Sequence, residues 1–490
     1  MSILFESVLV ANRGEIAARV LRTVQDMGMR GLVVHHAADR DTPAVRMADL
    51  AIEITGSTPV AAYLDGAQII AKAKAAGVSA IHPGYGFLSE NAAFAQAVAA
   101  AGMTFVGPGP DIIKLMGDKV RARAFVAVHG FPVAPSAIED DNPATFVERA
   151  RSVGAPLLIK PSAGGGGKGM RIVRDMAVLE EEIERARSEG LRYFGDGRLY
   201  VERYIEQPRH IEVQILGDSH GNVVHVHERE CSIQRRFQKI IEESPAPGLT
   251  PEERARICEI ASGIARAANY CNAGTVEFIY GGGEFFFLET NTRLQVEHPV
   301  TEEVVGIDLV AEQLRIAAGL PISRTQAEIT STGHAIELRL YAEDAARDFA
   351  PTTGPVLVFR PPVGVRVDAG VVEGGAVSSA FDPMIAKVIV HGKDRAEALD
   401  RADAALANFV LLGCRTNAAY LRRLLADADV QRGDFHTGTI AEKPELQAEP
   451  PLDCITKARL LAAASLVLRP VRDAADAVPA LHAMIGDWRN

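Results

Sequence analysis

Apolar positions open the chain in two alternating rhythms. Residues 7–11 form a nearly continuous apolar run suited to a buried strand, and Asn12-Arg13-Gly14 then turns the chain. Ile16, Val20 and Val24 follow at helical spacing, a second apolar run covers 31–36, and the rhythm continues through Ile81 and Phe105-Val106-Gly107. Strands alternating with helices predict a parallel, helix-covered sheet over residues 1–118. Residues 119–134 read as a helical linker ending in His129-Gly130-Phe131-Pro132. The pattern then changes. Residues 135–204 hold a glycine-rich hairpin and a charged helix over 177–190, and residues 205–446 are strand-rich, with strands expected at 210–216, 223–227, 275–280, 284–288 and 334–341. The fold class is therefore α/β at the start and α+β beyond. Residues 447–490 read as an acidic, proline-containing linker and an Ala/Leu amphipathic helix, ending near Trp488, the only tryptophan. Such a helix is expected to pack on its own domain.

Composition narrows the field. The 490 residues suit roughly three domains. The net charge of −11 argues against a nucleic-acid partner, while local pockets for small anions stay open. The longest apolar run is nine residues (460–468) containing one serine, against about 20 for a membrane span. The first residues carry no cationic leader and lead straight into a strand. The five cysteines (231, 258, 271, 414, 454) form no CxxC pair, which suggests reduced thiols and a cytoplasmic protein.

Four stretches carry chemistry. In LLIKPSAGGGGKGM (157–170) a buried strand ends in Lys160, and Gly164–Gly167, Lys168 and Gly169 follow. Glycines let backbone N–H groups crowd around phosphate oxygens, and the two lysines add charge. A glycine run is equally what a plain flexible loop looks like. About 110 residues on, Glu277 lies in one expected strand, Glu289 ends the next, and Asn291 stands two residues beyond. Two carboxylates and an amide on neighbouring strands make a hard-oxygen site suited to Mg²⁺. Arg293, Gln295 and Glu297 alternate in what reads as an extended segment, which would aim a cation, an amide and a carboxylate at one spot: an anion pocket with a base beside it. Residues 228–239 are dense in charge and also read as a basic loop, with Cys231 a packing cysteine.

Together these stretches resemble biotin carboxylase, the ATP-grasp component of biotin-dependent carboxylases. The resemblance is carried by HPGYGFLSEN (82–91), MGDK (116–119), the 164–169 loop, ERYIEQPRHIEVQ (202–214), CSIQRRFQK (231–239), EESPAP (242–247) and NTRLQVEHPVTE (291–302), and it runs from about residue 5 to 443. It implies a Rossmann-like pre-ATP-grasp domain (1–118), a mobile ATP-grasp lid (135–204), and a large ATP-grasp and biotin carboxylase C-terminal domain (205–446). It further implies that Lys119 and Lys160 contact ATP phosphates, that Gly165, Gly166, Gly167, Lys168 and Gly169 close over them, and that Glu202, Arg203 and Ile205 read adenine, with His210 and Gln234 lining the site. Glu277 and Glu289 would ligate Mg²⁺ (or Mn²⁺), with Asn291 beside them. Lys239, Arg293, Gln295 and Val296 would hold bicarbonate, Glu297 would be its base, and Arg339 would stabilise the biotin enolate near Tyr85 and Gly86.

Phe237 stands where some members carry a histidine, Arg203 where a lysine is frequent, and Thr290 where methionine or valine is common. No Ala-Met-Lys-Met biotinylation sequence occurs, since His482-Ala483-Met484-Ile485 lacks the lysine. The implied substrate is therefore biotin on a separate carrier protein, with a separate carboxyltransferase, in an acyl-CoA system by general similarity. The family also suggests a homodimer. Another ATP-grasp ligase, of the carbamoyl-phosphate type, would share Lys160, Glu277, Glu289 and Asn291 but has no reason to carry Gln295 to His298 or Arg339. A non-catalytic nucleotide-binding subunit would be expected to have lost lysines or metal carboxylates.

Overall fold

The opening apolar run is strand β1 (Ser7–Val10), buried along its whole length because it lies at the centre of a parallel sheet. Strands β2 (Arg30–His35), β3 (Leu50–Glu53), β4 (Ala80–His82) and β5 (Thr104–Phe105) complete it in the order β3-β2-β1-β4-β5. The expected helix–strand rhythm is present, and helix Gly14–Asp26 begins at the predicted turn. Alternate side chains of β1 point to opposite faces. Leu9 joins Leu32, Ile54 and Ile81 on one side. Val8 and Val10 on the other share a core with Leu216, Leu294 and Val310, so this sheet is welded to much later parts of the chain. The computed structural model describes residues 4–139, 143–161, 170–194, 197–449, 451 and 453–476. The predicted phosphate loop, Gly165 to Gly169, and Trp488 lie outside the described residues.

Strands β6 (Ser136–Ile138), β7 (Leu157–Pro161), β8 (Arg171–Val173) and β9 (Leu199–Arg203) form an antiparallel sheet in the order β6-β9-β7-β8. It has its own core, in which Leu157, Ile159 and Val201 meet Phe146 and Ala150 of helix Pro143–Val153 and Leu179 and Ile183 of helix Leu179–Phe194. The charged helix thus starts two residues later than the pattern predicts and runs four further.

An antiparallel sheet of eight strands organises the rest of the described residues. It contains β10 (Arg209–Gly217), β11 (Val223–Arg235), β12 (Gln238–Ser244), β13 (Asn272–Gly281), β14 (Glu284–Asn291) and β15 (His334–Tyr341). Its order is β14-β13-β10-β11-β12-β15, continued by strands Met384–Gly392 and Arg366–Ala369. The stretch that reads as a basic loop is instead the end of β11, a turn at Arg236 and Phe237 with positive φ (51° and 67°), and the start of β12. Its charges sit in strands because they are paired inside the protein. The predicted linker is no free connector either: helix Lys119–Val128 buries Ala122 and Val126 against Ile211, Val213, Ile257 and Phe278.

Residues up to Leu446 form one unit and those from Gln447 a second. The second contains helix Cys454–Asp476, with Asp453 accepting the Ile455 and Thr456 N–H groups at its start. In this helix Ile455, Leu460, Leu461 and Leu466 are exposed.

Candidate active site

Antiparallel register brings three carboxylates abreast. Glu212 on β10 pairs with Glu277 on β13, and Glu277 pairs with Glu289 on β14, so all three leave one face of the sheet. Glu277 and Glu289 stand at a cavity of about 640 Å³ whose lining also includes Lys119, His210, Gln234, Lys239, Asn291, Arg293, Gln295, Val296, Glu297 and Arg339, with Glu212 buried behind it. Twelve residues predicted from the sequence therefore share one site. A larger cavity of about 890 Å³, lined by Arg360, Val363, Arg401 and Val410 among others, holds none of them. Glu289 does not end its strand, since β14 continues to Asn291. Nor are residues 293–297 extended: the chain turns at Val296 and Glu297 into helix His298–Val305. The turn, not strand alternation, aims Gln295 and Glu297 inward.

Lys239 on β12 is the hub. Its ammonium donates to Glu212 Oε2 at 2.5 Å, to Glu277 Oε1 at 3.0 Å and to Glu297 Oε1. Glu297 Oε2 accepts from Arg339 Nη2 at 3.0 Å, and Arg339 Nε donates to Glu242 Oε1 at 2.6 Å. Glu277 also accepts from Asn291 Nδ2 at 2.9 Å and from Gln295 Nε2 at 2.6 Å, while His210 Nε2 lies 2.9 Å from its Oε2. Glu289 pairs with Lys119 at 2.5 Å. Arg293 donates to Asn291 Oδ1 and to Glu90 Oε2, both at 2.9 Å.

This pairing sets the charges. Burial alone would raise the Glu297 carboxyl, but Lys239, Arg339 and Arg229 outweigh it and hold the group far below the usual carboxylate range. Burial likewise opposes ionisation of Glu277, and Lys239 with His210 keeps it an anion. For Lys239 burial disfavours the cation, and the carboxylates of Glu212, Glu277 and Glu297 around it more than offset that. Burial also pushes the Cys231 thiol well up, which fits a packing cysteine and not a nucleophile.

Other predicted residues lie apart from this cluster. Lys160 on β7 pairs with Glu202 on β9. Arg203 spends its guanidinium on the Val153 carbonyl, at 3.0 and 2.7 Å. Ile205 packs where a Cβ on Gly281 would stand, 2.3 Å from its Cγ2, so that position requires glycine. Tyr85 lines a second cavity of about 350 Å³ with Asn12, Glu15 and Phe87. Gly86 follows it in the same turn at φ 69°. The two cavities share Gln238, Val296 and Arg339. The Tyr85 hydroxyl is buried with no partner among the described residues.

Sequence reasoning missed the residues that hold these groups. Arg229 is fully buried and uses all five N–H donors: Nε on Glu212, Nη1 on Gln214 and Thr301, and Nη2 on Thr275 and Gln295. With its Oε1 taken by Arg229, Gln295 must aim its amide N–H₂ at Glu277. Glu90 fixes Arg293, Glu242 fixes Arg339, and Lys387 donates to the Val296 carbonyl at 2.6 Å. One signal was available for Glu212: it alternates with His210 and Gln214 in an expected strand, a polar period of two in a buried run.

The donors also fit a divalent cation. Glu277, Glu289 and Asn291 offer only hard oxygens on adjacent strands, the set Mg²⁺ prefers. Lysines, an arginine and paired carboxylates on one face of an antiparallel sheet, with a separate four-stranded sheet, define an ATP-dependent ligase of the ATP-grasp kind. Comparison with known proteins narrows this class. Three family models match in order: the biotin carboxylase N-terminal domain over 4–113, the carbamoyl-phosphate synthase L chain ATP-binding domain over 118–325, and the biotin carboxylase C-terminal domain over 337–442. The biotin carboxylase of Haemophilus influenzae is 46% identical over 447 residues, covering 90% of this chain and 99% of that one. The mitochondrial methylcrotonoyl-CoA carboxylase subunit alpha of Oryza sativa is 48% identical over 87% of this chain, which spans 59% of that subunit. Among solved structures, the biotin carboxylase domain of the Hydrogenobacter thermophilus 2-oxoglutarate carboxylase, a dimer in complex with MgADP, ADP and bicarbonate, has a TM-score of 0.82 and 40% identity. That match covers 91% of this chain and 99% of the other. The chain belongs to the biotin carboxylase family, whose members are ATP-dependent carboxylating ligases.

Proposed function

We propose that this chain carboxylates biotin carried by a separate protein, using ATP and bicarbonate, as the first half-reaction of a biotin-dependent carboxylase. The observation that carries this reading is the Glu297 carboxylate held between Lys239 and Arg339, in the cavity that also contains Glu277 and Glu289. The carbamoyl-phosphate synthase family model ends at residue 325 and does not account for Arg339, which lies in the segment that matches the biotin carboxylase C-terminal domain.

Bicarbonate is a poor electrophile and must first be phosphorylated. Lys239, Arg293, Gln295 and the Val296 backbone bind it, and Glu297 takes its proton. A carboxylate so strongly held by cations is a weak base, but the same cations acidify bicarbonate bound among them, so both partners shift in the same direction. A bicarbonate oxygen then bonds to the γ-phosphorus as the bond to ADP breaks, giving carboxyphosphate. Lys119 and Lys160 neutralise the phosphates, and Mg²⁺ bound at Glu277 and Glu289, with Asn291 nearby, supplies further charge neutralisation. Carboxyphosphate breaks its C–O bond to give CO₂ and phosphate. Phosphate takes the biotin N1′ proton, and Arg339 stabilises the enolate that attacks CO₂. Tyr85 and Gly86 flank the biotin rings. Glu202, Arg203 and Ile205 read adenine, beside His210 and Gln234. Residues 135–204 act as a lid, with Gly165 to Gly169 covering the phosphates and excluding water.

The domain limits we assign are 1–118, 135–204 and 205–446, with 119–134 joining the first two and 447–490 outside the catalytic part. The partners we assign are a biotin carrier protein, a carboxyltransferase and a second copy of the chain. We favour an acyl-CoA as the final acceptor, on the likeness to the methylcrotonoyl-CoA carboxylase subunit. A cytoplasmic location agrees with five free cysteines. Phosphate release with and without bicarbonate and free biotin tests the reading. Release that depends on bicarbonate, with carboxybiotin formed, is expected; ATP cleavage indifferent to bicarbonate would refute it.

A further inference from the structure

Two buried carboxylates face each other beside the site. Glu242 on β12 and Glu337 on β15 are cross-strand partners, and neither exposes any surface. Such partners place their Cβ atoms about 4.5–5.5 Å apart. Ile336 and Leu338 pack into the core on one face of β15, so Glu337 and Arg339 share the other. Glu242 Oε1 grips Arg339. Glu242 Oε2 and both oxygens of Glu337 accept no hydrogen bond among the described residues.

The surrounding charges make full ionisation untenable. Lys387 stands opposite Arg339 on strand Met384–Gly392, wholly buried, with Glu15 at 3.6 Å and Asp368 as its partner on the next strand. Helix His298–Val305 packs on the same face. From it, His298 commits Nδ1 to the Gln295 carbonyl at 2.8 Å, and Glu302 pairs with Arg19 and Arg366. Arg339 and Lys387 therefore face Glu242, Glu337, Glu297, Glu15 and Asp368. Asp368 also has Arg366 and Arg22, and Glu297 also has Lys239, itself shared with Glu212 and Glu277, which leaves Glu242, Glu337 and Glu15 dependent on Arg339 and Lys387. Like charges this close in a dry interior cannot all persist, and one proton serves a pair.

We propose that Glu337 is held as a neutral carboxylic acid whose O–H donates to Glu242 Oε2, fixing the carboxylate that grips Arg339. Glu337 is thus a positioning residue for the carboxylation of biotin. Burial, with Glu242 and Glu297 adding to it, pushes Glu337 well above the carboxylate range against the pull of Lys387 and Arg339. When rising pH removes this proton, a new negative charge appears beside Arg339 and weakens its hold on the enolate. The alkaline limb of carboxybiotin formation belongs to this pair, whereas that of phosphate release does not. The kinetic part of this inference rests on Arg339 serving the biotin step.

Infrared spectra and pH profiles test it on the full chain with free biotin. The folded wild type should show a carboxylic C=O stretch at pH about 8, which Glu337→Gln loses. Glu242→Gln, which removes the neighbouring charge and lets Glu337 ionise, should lose it too. Because glutamine is a neutral donor at every pH, Glu337→Gln should carry carboxybiotin formation about half a pH unit or more further into alkali, with the phosphate-release profile unmoved. A wild type without the band, a band that survives in Glu242→Gln, or an unmoved carboxybiotin limb in a folded Glu337→Gln would each overturn the proposal. The infrared result does not depend on what Arg339 does, so failure of the functional reading stays distinguishable from failure of the proton-sharing pair.

Discussion

Arg339 is bonded directly to Glu297, Nη2 to Oε2 at 3.0 Å. The cation assigned to the biotin step therefore also helps to set the charge on the base assigned to the bicarbonate step. The two half-reactions share one ion pair, and a change in one partner registers in the other.

In Arg339→Ala, bicarbonate-dependent ATP cleavage should persist while carboxybiotin falls about a hundredfold or more, the loss of a charge interaction worth ~3 kcal/mol in a dry site. Removing Arg339 also takes away one cation that depresses Glu297. The acidic limb of phosphate release should accordingly move to higher pH. Glu297→Gln should lose both products. Phosphate and carboxybiotin are measured for both variants in one buffer, and parallel loss of both in Arg339→Ala would contradict the division of labour.

Among the described residues Glu289 pairs only with Lys119, whereas Glu277 is engaged by Lys239, Asn291, Gln295 and His210. Glu289→Gln is thus the cleaner probe of metal binding. It should cut carboxylation by several orders of magnitude, about 4 kcal/mol or more, and raise the Mg²⁺ needed for half-maximal rate. Near-normal turnover in the folded variant would remove Glu289 from the ligand set.

Arg229→Met should destabilise the chain by about 3–5 kcal/mol, because it removes a buried cation and leaves Glu212 Oε1 and the Gln295 amide oxygen buried without their donor. Arg422→Ala, which breaks an exposed pair with Asp403, should change stability by less than about 1 kcal/mol. Denaturant unfolding of both variants makes the comparison.

Burial works against the Asp368 anion, but Lys387 and Arg366 overcome this and hold it down at about 2, below its ordinary value of 3.8. Its contribution is complete above pH 3.8 and is lost as pH falls toward 2. Asp368→Asn should show a shallower loss of stability across that window than wild type, read from unfolding midpoints against pH.

A further test concerns the biotin itself. Incubated with a biotin ligase, these 490 residues should remain unmodified, since no Ala-Met-Lys-Met sequence is present. Mass spectrometry of the treated chain would detect a covalent biotin and contradict the assignment of a separate carrier.

Much of the site was legible in the sequence because its functional groups sit in short local patterns. Glu277, Glu289 and Asn291 fall within two neighbouring strands, and Arg293 to Glu297 within five residues, so chain order alone keeps them together. The helix–strand rhythm likewise determined the first sheet, since a run such as residues 7–11 can only bury itself between two covered faces. The restraining partners were not legible. Glu90 meets Arg293 across 203 positions, Glu242 meets Arg339 across 97, and Lys387 reaches Val296 across 91. A charge forced into the interior must find a counter-charge, and composition says only that some partner exists. Which one it finds depends on the order in which β10 to β15 lie in the sheet and on the register between them, and packing of the whole chain decides both. The candidate groups of the site were thus written locally; their ionisation, and the grip that aims them, came only with the tertiary structure.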